Sequence, residues 1–234
     1  MNKSFYIILL LLASCTILSG QKKATVTVKS ESSYEQLLPG DMIYEFSEFA
    51  PAKLYFDNKG IAEHQVNYNL VSGALLFKDK SGRVLEYAYP DQIKTFVIRD
   101  TFWVGLKEGF GRIVYSTDNI DIIKYRRTEC TDIRKEGAFG GVSPTSSSTS
   151  YSTLQGGGGK SYNLSTPGEY DFEVKVFYYI RRNDEVLPVS VKNLKKLFPG
   201  KKNAVSGIMK TRRLDLTKEK DIISLVRLVS SDPQ

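Results

Sequence analysis

The chain has one His, two Cys and one Trp in 234 residues, and each scarcity removes a class of chemistry. A structural zinc site takes about four Cys or His ligands, so the counts exclude one. A Ser-His-Asp triad would have to use His64, which sits between Glu63 and Gln65 in a strand-like stretch, and no G-x-S-x-G motif is present. Long apolar runs are absent as well. The longest begins at Phe5 and reaches Leu18 at most, short of the roughly 20 residues that span a bilayer. Charge of one sign is not scarce: Lys+Arg 33 against Asp+Glu 26 gives a net charge of +7.

What is present at the N-terminus is an export signal. Lys3 supplies the positive n-region, and Phe5 to Leu12 supply an apolar h-region. Two cleavage sites compete. Leu12-Ala13-Ser14-Cys15 matches a bacterial lipobox, in which Cys15 becomes the lipidated first residue, so Cys15 is a lipid-anchor candidate. Leu18-Ser19-Gly20 before Gln21 matches an ordinary signal-peptidase site. In either case Cys130 has no partner for an intramolecular disulfide. Arginines at 126 and 127 precede it, but on a strand it reads as a small packed hydrophobe.

From Ala24 to about Ile133 apolar residues recur with period 2. Turn signals at Asp57–Gly60, Asp79–Gly82, Arg99-Asp100 and Thr117–Asn119 separate short strands rich in Val, Ile, Tyr and Phe. Consecutive hairpins predict an antiparallel meander, and so long a meander must curl to bury one face. Met42–Phe46 reads as one of its strands, and His64 as a residue on an exposed strand face. Asn67–Asn69 and Tyr87–Tyr89 suggest aromatics that would line a carbohydrate or peptide groove, although aromatics also suit any pleated surface.

Gly and Ser dominate from 135 to 168, including Ser146–Ser148 and Gly156–Gly159, a composition that supplies no packed core. Gly159-Lys160-Ser161 ends like a phosphate-binding loop, but Leu154 stands where that motif needs Gly. Period 2 returns at Tyr170–Ile180 as one long strand. Beyond Pro188 the period becomes helical. Ser190 is placed to cap a helix carrying Val191, Leu194, Leu197 and Phe198 on one face. A second helix spans 202–210, and Thr217 is placed to cap a third that carries Ile222, Leu225, Val226 and Val229.

Residues 181–220 hold twelve Lys and Arg against four acids. Such clustering recruits anionic surfaces, and Lys195, Lys196, Lys201 and Lys202 are the candidate contacts because they lie off the apolar stripe. Glu45, Glu48, Glu63, Glu86, Glu108 and Asp121 are all available for a glycosidase-type carboxylate pair, and the sequence selects none of them.

Asn67–Leu70 with Gly73–Phe77 and Ile93–Phe96 resembles an N-terminal β-module. Tyr178–Ile180, Val191–Pro199, Leu214–Leu216 and Asp221–Val226 resemble a C-terminal module. Both modules resemble those of exported proteins in Bacteroides- and Flavobacterium-like bacteria. The resemblance implies a compartment and a fold, with no active-site residue.

The expectation is an α+β, mostly β protein: an antiparallel meander curled into a barrel-like or sandwich body, with a small C-terminal unit of short helices. Its parts would be a signal peptide over 1–20 (1–14 with a lipidated Cys15), a β domain over 21–134, a flexible loop over 135–168, a strand rejoining the sheet over 169–189, and a helical unit over 190–234. The expected role is exported, in the periplasm or on the outer membrane or cell surface. It would be non-enzymatic binding or scaffolding against an envelope component or anionic surface, with no cofactor, metal, nucleic acid or membrane span. The alternative is a glycan-acting hydrolase.

Overall fold

A computed structural model describes residues 22–28, 32–136, 142–143, 163–164, 168–183 and 185–231. The expected signal peptide, Cys15 and most of the 135–168 segment lie outside the described residues.

The first half of the chain contains β1 (Lys23–Val28), β2 (Ser32–Ser33), the single helical turns α1 (Tyr34–Leu37) and α2 (Gly40–Ile43), then β3 (Ala50–Phe56), β4 (Ile61–Tyr68), β5 (Leu75–Lys78) and β6 (Val84–Glu86). After a 3-10 turn at Pro90–Gln92 come β7 (Ile93–Ile98), β8 (Thr101–Leu106), β9 (Gly109–Thr117) and the 17-residue β10 (Ile120–Glu136). The remainder is β11 (Val142–Ser143), β12 (Asn163–Leu164), the 15-residue β13 (Gly168–Arg182), β14 (Glu185–Pro188), α3 (Val191–Leu197), α4 (Lys202–Arg212) and α5 (Glu219–Ser231).

The predicted turns make hairpins. Arg99 and Asp100 both adopt positive φ, 48° and 63°, the geometry that matches strand twist in a two-residue loop. At Asp79–Gly82 the Asp79 carboxylate accepts from the Ser81 and Arg83 amides at 2.8 and 3.0 Å. The meander, however, is broken twice, and the first break is β1, which pairs with β13 and not with β3. The main sheet runs β1-β13-β10-β9-β8-β7-β3-β4-β5-β6, so β7 pairs with β3 and not with β6. Pro90 opens the turn that carries the chain there; lacking an N–H, it suits neither ladder. The path ends at β1 and β6, so the sheet does not close.

Met42–Phe46 is not a strand. Pro39 and Gly40 start a helical turn in which the Met42 and Tyr44 amides donate to the Pro39 and Gly40 carbonyls at 2.9 and 2.8 Å. Buried Asn67 then holds Phe46 at both its amide and its carbonyl. Asn67, Tyr68 and Asn69 are all buried, so they build this crossover and line no groove.

Three cores share the β10–β13 ladder. The first packs Leu54, Phe96, Trp103, Phe110 and Tyr68, with Phe96 stacked on Trp103 at 5.6 Å and 6°. The second packs Ile120, Ile122 and Ile180 against the helices. The third packs Val26, Val28, Tyr170 and Phe172 against Leu38, Met42 and Ile43.

In the helical unit Ser190 accepts from the Asn193 amide at 3.2 Å, as its cap position requires. Leu194, Leu197, Phe198, Ile222, Leu225, Val226 and Val229 are buried, whereas Val191 is 37% exposed. Val191 opens the helix, a turn short of the packing surface. Thr217 does not cap α5. Its hydroxyl donates to Asp215 at 2.7 Å, and Asp221 reaches back to accept from the Asp215 amide at 2.9 Å.

Candidate functional site

A strand's alternate residues share a face, so pairing β10 with β13 aligns two such sets. Ile123 lies opposite Tyr179, Tyr125 opposite Phe177, Arg127 opposite Lys175, and Asp121 opposite Arg181. Tyr125, Arg127, Glu129, Tyr179 and Arg181 thereby line one side of a cleft of about 1200 Å³. The other walls are the β8–β9 hairpin tip from Leu106 to Phe110, the loop Leu70–Gly73, the turn carrying Pro90, Asp91 and Lys94, and Val186 and Pro188 of β14. Thr128 ties the loop to the floor: its amide donates to the Leu70 carbonyl at 2.8 Å, and its hydroxyl donates to the Met42 carbonyl.

The charged groups of the floor are paired. Glu129 is held by Arg127 on one oxygen and by Lys175, at 2.7 Å, on the other. Burial opposes ionisation of Glu129, yet these bonds outweigh it and hold its carboxyl below the ordinary value. The Arg127 guanidinium also lies 5.2 Å over the Phe177 ring. Arg181 donates through Nε and Nη2 to Asp121 at 2.8 and 2.7 Å, and Ser116 donates to the other Asp121 oxygen at 2.6 Å. Tyr125 donates to the Glu108 carbonyl at 3.1 Å, and Tyr179 to the Glu108 carboxylate at 3.4 Å. Burial, with Glu108 second, pushes the Tyr179 hydroxyl up to about 12.

Of the six carboxylates available in the sequence, Glu108 lines this cleft, and Glu129 joins it unforeseen. Asp121 sits behind Arg181. Glu45 lies elsewhere, 2.7 Å from Arg126, where burial pushes its carboxyl up despite that partner. Alternation within β10 alone marks 125, 127 and 129 as one face. Their joining to Tyr179 and Arg181 follows from a pairing across more than thirty intervening residues, which no local pattern encodes.

His64 is not on an open face. It is half-buried, edge-on to Phe77 at 5.0 Å and to Tyr87 at 6.0 Å. Among the described residues no group of His, Cys, Asp and Glu is arranged to hold a metal ion. Cys130 lines the far end of the cleft, half-buried, with its thiol pushed up to about 11 by burial. Against an ordinary value of 9.0 that shift leaves about a hundredfold less thiolate at neutral pH. Alkylation by iodoacetamide should accordingly be slow at pH 8 and keep rising through pH 10. A rate that levels off below pH 9 would contradict this assignment.

The basic block divides. Lys196 pairs with Glu185, and Lys201 is committed to the end of α5, donating to the Val229 carbonyl at 2.9 Å and the Ser230 carbonyl at 3.5 Å. A cation on the last carbonyls of a helix is well placed against its dipole. Lys195 and Lys202 make no ion pair among the described residues, and neither do Lys192, Lys210, Arg212, Arg213 and Lys220. Two of the four candidates, Lys195 and Lys202, are thus free of ion pairs, and five cations outside the four join them.

No protein-family model matches the chain, and no curated protein or solved structure is significantly similar to it.

Proposed function

We propose that this chain is an exported envelope protein that works by binding, with the β10–β13 cleft as its ligand surface and the helical unit turned toward an anionic surface. The observation that carries the binding reading is the state of the cleft floor. Glu129, Arg127, Lys175, Arg181 and Asp121 are locked in mutual pairs, and Cys130 is held as a thiol. Fixed charge states suit recognition. A general acid needs a proton to give near the working pH, whereas Glu129 is held ionised. The β-rich body, curled around its first core in a barrel-like form, gives the cleft a rigid frame. Export rests on the n-region, the h-region and the lipobox around Cys15. No helix among the described residues is long and apolar enough to cross a membrane.

Glu108 and Glu129 line the same cleft, and this supports hydrolysis of a glycan as the second reading. One experiment separates the two. In the producing cell the wild type should fractionate with membranes and Cys15→Ala with the soluble proteins. That soluble variant, added to isolated envelope fragments, should sediment with them, and the more weakly the higher the salt, since exposed cations are screened within about 8 Å at physiological ionic strength. Release of soluble fragments, abolished by Glu129→Gln, would replace binding with hydrolysis. An unchanged distribution of Cys15→Ala would remove the anchor.

A further inference from the structure

We infer that the cleft takes an uncharged glycan strand, an assignment that rests on the binding reading above and narrows it to one class of ligand. The floor runs from Glu129 on β10 to Arg181 on β13, which lies opposite Asp121 in the ladder, and the eight strand steps between these positions measure about 27 Å. That is the footprint of an extended chain and exceeds that of a single small molecule.

The charges of the cleft specify what kind of chain. On the floor, Arg127 and Lys175 share the carboxylate of Glu129, and Arg181 is paired with Asp121, so three cations meet two carboxylates and each of the five is engaged. The rim carries Lys94 and Lys107 and, in equal number, Asp91 and Glu108. An ionic ligand seated on the floor would have to displace a partner from a part-buried pair, leaving the displaced charge poorly solvated. A hydroxyl-bearing ligand displaces nothing. A carboxylate such as Glu129 offers about four lone-pair sites, and its bonds to Arg127 and Lys175 leave others free. Arg181 likewise spends Nε and Nη2 on Asp121 and keeps Nη1. Sugar hydroxyls donate to the first kind of group and accept from the second.

The aromatic content agrees. Tyr179 is half-buried at the floor: part of its ring packs against the first core, edge-on to Tyr125 at 6.4 Å, the rest is left for an apolar face, and its hydroxyl is 3.4 Å from Glu108. A pyranose ring has such an apolar C–H face, and a Tyr presents both parts it needs. An extended peptide is disfavoured by the architecture. Strand addition uses a free sheet edge, whereas this floor is the face of a ladder in which β13 pairs with β10 along its length.

The test is calorimetric titration of the purified protein with uncharged cello-, xylo-, manno- and malto-oligosaccharides and with acidic oligogalacturonate, each in low and in high salt. At least one uncharged oligosaccharide should bind, with an affinity that changes less than about twofold between the two salts, as expected where no counterions are released. Tyr179→Ala should weaken it by about tenfold or more, a loss of about 1.4 kcal/mol. Tyr179→Phe, which keeps the ring and the fold, should stay close to wild type. Saturable binding of oligogalacturonate alone, falling steeply with salt and lost in Tyr179→Ala, would keep the cleft as a binding site and overturn the uncharged ligand. Absence of binding across the panel would overturn it as well, and sedimentation with envelope fragments would then show whether the broader reading stands.

Discussion

Gly109→Ala should destabilise the protein by about 3–5 kcal/mol, a large share of a typical folding free energy of about 5–15 kcal/mol. Two independent costs add. Gly109 has φ of +146°, a region that side-chain-bearing residues rarely enter, and such strain is worth about 1–3 kcal/mol. A methyl group there would also collide with the Tyr68 hydroxyl. Tyr68 cannot retreat. It is 1% exposed, accepts from the Phe110 amide at 3.3 Å, and is packed edge-to-face with Phe110 at 6.3 Å. Overpacking of this kind costs about 1–3 kcal/mol. Urea denaturation reads the sum as a fall in midpoint at constant slope. A midpoint near wild type would mean that the hairpin tip moves aside, and with it the Glu108 wall of the cleft.

Phe198→Ala should cost a comparable amount, about 3–5 kcal/mol, as for other buried aromatic truncations. Its ring is 6% exposed within the core that joins the helices to Ile120, Ile122 and Ile180, and the Arg182 guanidinium lies 5.2 Å over it. Arg182 also donates to the Leu197 carbonyl, so the ring and the carbonyl together hold a guanidinium whose Nε is buried without a partner. Removing the ring opens a cavity and leaves that cation less well packed. For a chain of this size the melting temperature should fall by roughly 10 °C. Val191→Ala, in the same helix at an exposed position, should move it by about a degree or less. Equal shifts for the two variants would mean that α3 does not dock through Phe198.

The difference between these residues shows what the sequence makes legible. Ser190, Leu194, Leu197 and Phe198 are readable because a helix writes cap and stripe within a few residues. The hairpins at Arg99-Asp100 and Thr117–Asn119 are readable for the same reason, since turn residues set register locally. Met42–Phe46 misleads because its apolar alternation suits a strand, while Pro39, Gly40 and the distant Asn67 decide otherwise. The cleft is the hardest to foresee. Arg127, Glu129 and Cys130 stand out as a cluster, but Lys175, Tyr179 and Arg181 reach them only through a pairing that spans the 135–168 segment. The cost of bringing two strands together so far apart in the chain is met by side chains throughout the sheet, not by any local motif.

β1 enters this assembly at an edge, each residue from Lys23 to Val28 paired antiparallel with β13. In the anchored reading, a lipid on Cys15 lies at most roughly 25 Å of extended chain from Lys22. Tension on that tether would act along β1, loading its ladder with β13 in shear, so that the hydrogen bonds must yield together instead of peeling one at a time. β13 passes the load to β10, and those two strands are rooted in all three cores. A body built this way would resist being drawn out strand by strand when its ligand and its membrane pull in opposite directions.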